Sequence, residues 1–224
     1  MRPLRFSSDP PRHRAFAVFV ATIAVLGGVV ATEHFGSGAV AASSEVADSF
    51  RSLHPVADFD GISDPQARSA ALFREAGKVF ASPRCLNCHP VTARPTQTDH
   101  MTPHLPIVLR GPEGTGDPGG LRCNSCHQGE NSTASGVPGN PKWSLAPASM
   151  AWQGKTLGEI CRQLKDPKRN GGRDLAEIVH HVSEDELVGW AWRPGGNRAP
   201  APGTQQQFGE LIKAWAALGA VCPD

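Results

Sequence analysis

The chain has 224 residues, a formal net charge of +1, 24 glycines and 20 prolines. That length suits one domain, or one domain with an export segment. The near-balance of charge argues against a nucleic-acid binder and leaves no acidic tail for a basic partner. So much Gly and Pro is too loop-rich for a helical bundle packed by side chains alone, and it points to a core built around something else.

The chain opens with Arg2, Arg5, Arg12 and Arg14, then an apolar run from Ala15 to Ala31. Small residues follow, with cleavage candidates near Ala39-Val40-Ala41. This is the form of a secretory signal. The run is a little long for a signal core and a little short for a span of roughly 20 apolar residues. Residues 1–42 are therefore expected to be a signal peptide or an inner-membrane anchor. In both cases the arginines stay cytoplasmic and the rest of the chain is exported to the periplasm.

Residues 43–63 show little periodicity and read as a linker, leaving 64–224 as the domain. Asp64 can cap a helix whose first position suits Pro65 and which runs to about Phe80. Ala70, Phe73, Gly77 and Phe80 share one face of it. Ser82-Pro83 ends it. From Pro90 to Pro147 the composition is that of loop, without a defensible strand. So long a stretch argues against a simple fold unless a bound group organises it. Short helices are expected from about Thr156 to Lys165, from Asp174 to about His181, and from Ser183 to Trp192. A final helix spans about Thr204 to Leu218, with Phe208, Leu211, Ile212 and Trp215 as its apolar stripe. The expected fold class is mostly α, with long loops.

Four of the six cysteines form Cys85-Leu86-Asn87-Cys88-His89 and Cys123-Asn124-Ser125-Cys126-His127. Each run is CxxCH, the c-type haem attachment spacing. Two thiols one turn apart can each bond one haem vinyl group. The adjacent imidazole can then ligate the iron from the proximal side, and the axial ligands tune the potential. Zinc held by the four cysteines is the alternative, but zinc gives no reason for His after both pairs. A thioredoxin-like pair would need a surrounding βαβ pattern that is missing. The expected cofactors are two c-type haems, with Cys85, Cys88, Cys123 and Cys126 as attachment points and His89 and His127 as proximal ligands.

The distal ligands stay open among three candidates for two positions: His104, His181 and Met150. His104 lies on a stiff segment between Pro103 and Leu105-Pro106. His181 ends a helix beside His180, and Met150 follows Ala146-Pro147-Ala148-Ser149. Cys161 and Cys222 are candidates for a disulfide in an oxidising compartment. Arg110, Arg122, Arg162, Arg169 and Arg173 are candidates for pairing with propionates. Trp143, Trp152, Trp190 and Trp192 could pack on porphyrin faces or serve as core.

The opening helix running into CxxCH, with a Trp-bearing helix at the end, resembles the class I cytochrome c plan, in which the first and last helices cross. Gly77 would suit a close approach there. Only 38 positions separate Cys85 from Cys123, too few for two tandem cytochrome domains, so both haems must share one domain. The stretches CLNCHPVTARP, RGPEGTGDPGGLRCNSCHQGEN, APASMAWQGKTLGEICRQLKDPKRNGGRDL and LVGWAWRPG resemble a bacterial diheme family often labelled isoquinoline oxidoreductase subunit. That resemblance implies a cytochrome that accepts electrons from a periplasmic dehydrogenase of the molybdenum hydroxylase type and passes them to a respiratory acceptor. Molybdopterin or iron–sulfur motifs are lacking, so the label does not imply catalysis. The alternative is a haem enzyme of diheme-peroxidase type, which would need one open iron position.

Overall fold

The structure, a computed structural model, describes residues 51–117 and 119–224. The expected export segment or anchor at 1–42, and the first part of the expected linker, lie outside those residues. Among the described residues, no helix is long and apolar enough to cross a membrane.

The described chain is mostly α. Helix α1 (Pro65–Phe80) begins where Asp64 accepts hydrogen bonds from the Gln66 and Ala67 amides, with Pro at the first position. This satisfies donors that a helix start leaves free. A one-turn helix α2 (Pro83–Leu86) follows at once and carries Cys85. Capping boxes open α3 (Leu157–Leu164, Thr156 with Glu159), α4 (Leu175–Glu184, Asp174 with Glu177) and α6 (Gln205–Ala217, Thr204 with Gln207). Between α4 and α6 lies α5 (Glu186–Gly189), continued by a 3-10 turn at Trp190–Trp192. The helix expected from Ser183 to Trp192 is thus divided. Asp185 leaves helical geometry to cap α5 with its own carboxylate, so Ser183 and Glu184 stay with α4.

Helix α6 is the centre of the packing, with α1 against one side and α4 against another. Phe73 meets Trp215 at a ring-centroid distance of 5.0 Å, and Phe80 meets Phe208 at 5.1 Å. All four rings are buried. Each such burial contributes roughly 1.5–3 kcal/mol. The Ser69 hydroxyl, also buried, donates to the Trp215 carbonyl at 3.1 Å. The first and last helices therefore pack directly on each other. At Gly77 the nearest approach is to α3, however. A Cβ there would come within 2.5 Å of a Leu157 methyl, so Gly77 makes room for α3.

The expected linker is, from residue 51, part of the packed domain. Leu53 is buried, and Val56 and Phe59 lean on the core from a 3-10 turn at Val56–Phe59. The His54 amide donates to Glu75 at 2.9 Å. Leu53, Val56 and Phe59 recur every third residue, a repeat that suits a single 3-10 turn and is too short to register as periodicity. Two two-residue strands, β1 (Thr96–Gln97) and β2 (Thr102–Pro103), pair antiparallel inside the long loop region, where no strand was expected. Cys161 on α3 and Cys222 form a disulfide with a Cα–Cα distance of 5.5 Å. It ties the C-terminal tail to α3.

Candidate functional site

Both CxxCH motifs end in a single turn that brings the His back over the first Cys. The His89 amide donates to the Cys85 carbonyl at 3.1 Å, and the His127 amide to the Cys123 carbonyl at 2.9 Å. In the first motif α2 supplies that turn. In the second it is a 3-10 turn at Cys123–Ser125.

Each His is then held by two identical devices. The Nδ1 of His89 donates to the Met150 carbonyl at 2.7 Å, and the Nδ1 of His127 to the Pro138 carbonyl at 2.7 Å. A carbonyl can only accept, so Nδ1 carries the proton and Nε2 keeps its lone pair. Each ring also lies flat on a tryptophan. His89 and Trp152 stack at 3.4 Å and 4°, His127 and Trp143 at 4.4 Å and 9°. Burial pulls the His89 imidazole down to about 3, against the raising effect of the Met150 carbonyl. Burial lowers His127 too. Both are therefore neutral at pH 7, the form in which imidazole binds a metal.

Each motif faces its own cavity. The first, of 220 Å³, is lined by Cys85, Cys88, His89, Met150, Trp152 and His181, with Phe80, Ile178, Val182 and Phe208 as apolar wall. The second, of 550 Å³, is lined by Cys123, Cys126, His127 and His104, together with Arg84, Arg122 and Arg198. Arg84, Cys88, Trp143, Ser144, Leu145 and Trp190 border both. The two cavities thus share a wall. None of the four motif cysteines is in a disulfide. Burial lifts Cys85 to about 12 and Cys88 to about 11, so both are thiols. Among the described residues, no three His, Cys, Asp or Glu side chains group as a metal shell.

The three distal candidates fall in different places. His104 faces the second cavity, its Nδ1 donating to the Pro106 carbonyl at 2.9 Å and its ring 6.0 Å from that of His127. His181 faces the first cavity, its Nδ1 3.5 Å from the Asp185 carboxylate. Burial lowers its pKa, with Asp185 opposing. Its neighbour His180 is exposed and pairs with Glu184 at 3.2 Å. Met150 is buried and borders the first cavity. Its carbonyl holds His89 from the Nδ1 side, however, across the ring from Nε2. Its backbone therefore sits with the groups that orient His89.

Of the five arginines considered from sequence, Arg173 borders the first cavity and Arg122 the second. Arg110 is buried elsewhere and donates to the Pro90 carbonyl at 3.0 Å. Arg169 donates to the Ser149 carbonyl, and Arg162 is exposed. Arg84 and Arg198 were not anticipated, nor was the pairing of each His with one tryptophan. The carbonyl partners lie 61 and 11 positions from their histidines, and no sequence spacing links them. None of the family models, curated proteins or solved structures compared with this chain matches it.

Proposed function

We propose that this chain is an exported electron-transfer protein with two c-type haems. Cys85 and Cys88 would bind one and Cys123 and Cys126 the other, with His89 and His127 as proximal ligands. The observation that carries this reading is the duplicated device at the two motifs. Each His is neutral, fixed at Nδ1 by a carbonyl and stacked on a tryptophan, and each borders a cavity with a second His. Such second-shell bonds set the tautomer and orientation of metal-binding imidazoles.

The residues fit the group. In the second cavity both His127 and His104 hold Nδ1 at a carbonyl, which leaves each Nε2 free to bind a metal. The rings of His104 and His127 are 6.0 Å apart. His104 is therefore the proposed distal ligand of the second haem. His181, with its Nδ1 turned toward Asp185, is proposed for the first. The Met150 carbonyl is proposed to orient His89. The finer fold reading, a diheme cytochrome c-like domain with α1 and α6 crossed beside the first haem, belongs to the same proposal.

Each bound haem would supply one reversible electron, ferric to ferrous. The chain's own residues would exclude water from the first site, keep both imidazoles neutral and hold the two groups against one shared wall. The resemblance in sequence to diheme subunits supplies the donor class, a periplasmic dehydrogenase of the molybdenum hydroxylase type, with a respiratory acceptor downstream. The Cys161–Cys222 disulfide suits an oxidising compartment.

The test is the visible spectrum of the exported, haem-loaded protein, oxidised, reduced and with carbon monoxide. Two low-spin haems that ignore carbon monoxide support a carrier with four histidine ligands. One high-spin iron that binds carbon monoxide would favour the haem-enzyme alternative instead.

A further inference from the structure

Arg84 stands immediately before Cys85 on α2, and its side chain is 2 % exposed. It borders both cavities, whereas Arg173 borders only the first, and Arg122 and Arg198 only the second. Its guanidinium pairs with Asp99 and lies 5.8 Å over the Trp190 ring in the shared wall. Its Nε is buried and has no hydrogen-bond partner. A buried donor without a partner is costly, and this one is on a side chain that reaches two cavities.

We infer that Arg84 is a common electrostatic control of both redox centres, its one cation raising the two reduction potentials together. This rests on the two-haem reading. An oxidised haem carries one more positive charge than a reduced haem. A fixed cation beside both centres therefore disfavours both oxidised forms. Burial makes the effect larger and less sensitive to salt than a surface charge would give. Asp99, 38 % exposed and bordering only the second cavity, offsets part of it.

The experiment is a spectroelectrochemical titration of exported, haem-loaded wild type and four variants: Arg84→Gln, Arg84→Lys, Arg173→Gln and Asp99→Asn. Arg84→Gln is expected to lower both midpoints, and Arg84→Lys, which keeps the charge, to leave both near wild type. Arg173→Gln should lower one midpoint only. Asp99→Asn should raise both, the second-site midpoint more. The inference is overturned if Arg84→Gln, with two haems attached, moves one midpoint or neither, or if Arg84→Lys behaves like Arg84→Gln. Should Arg84→Gln fail to accumulate, Arg84→Met, which also removes the charge, decides, and a shift of one midpoint or neither contradicts the inference. Wild-type protein without covalent haem would instead remove the two-haem reading, and this inference with it.

Discussion

Replacing both Cys161 and Cys222 by alanine should cost about 4 kcal/mol of stability while leaving the haem sites intact. The magnitude follows from the 61-residue separation of the two cysteines. Cross-linking a loop of that size removes about 14 cal/mol/K of denatured-chain entropy, or about 4 kcal/mol at 25 °C. The native tail has other ties. The Trp215 indole donates to the Val221 carbonyl at 2.9 Å, and Lys165 donates to the Ala220 carbonyl at 2.7 Å. The Val221 amide donates to Ser69 at 3.1 Å. These bonds keep the tail in place, so the loss arises mainly in the unfolded state. With a urea slope of about 2 kcal/mol/M, the midpoint should fall by about 2 M. The assay is urea unfolding of haem-loaded protein followed by far-ultraviolet dichroism, with the visible spectrum as a check on the sites. A loss under about 1 kcal/mol would refute the chain-entropy argument. A changed visible spectrum before unfolding would refute the claim that the tail is held independently.

Four further substitutions test other contacts. His104→Ala and His181→Ala should each open one iron, so that reduced protein binds carbon monoxide at one haem of the two. A variant that stays inert would exclude that His as a ligand. Gly77→Ala drives a methyl into Leu157 and should destabilise by about 1–3 kcal/mol, as overpacked cores do. The flexible end of the Leu157 side chain favours the lower figure, and an unchanged thermal midpoint would contradict the close approach. Asp174→Ala removes the cap of α4 and should cost about 1 kcal/mol. Because α4 also carries His181, its carbon monoxide response reports whether the cap positions that residue.

Helix boundaries were largely legible because their signals are local. Asp64-Pro65 and the capping boxes at Thr156, Asp174 and Thr204 state where helices begin. The Phe73 and Trp215 stripes name the faces that pack. The motif cysteines and histidines were equally plain, since their chemistry depends on fixed spacing. What did not show was everything that depends on distant chain meeting a motif. The Met150 and Pro138 carbonyls, the stacked Trp152 and Trp143, and the placing of Arg84 in a shared wall depend on the route of the long loops. A close approach at Gly77 is legible in the sequence, but not Leu157 as the side chain it admits. Gly209 went unnoticed, although a Cβ there would crowd the Ser183 side chain on α4 at 2.8 Å. A glycine in a helix announces that something comes near, not what it is. The 51–63 segment misled because an apolar repeat of three residues is too brief to distinguish from chance.

The central claim is best tested by the intact mass of the exported protein from a host that attaches c-type haems. It would be measured for wild type, Cys85→Ala/Cys88→Ala and Cys123→Ala/Cys126→Ala under denaturing conditions. The expected masses are those of the polypeptide plus two haems for wild type and plus one for each double variant. A wild-type mass with no covalent haem would contradict it, and would return the four cysteines to some other chemistry.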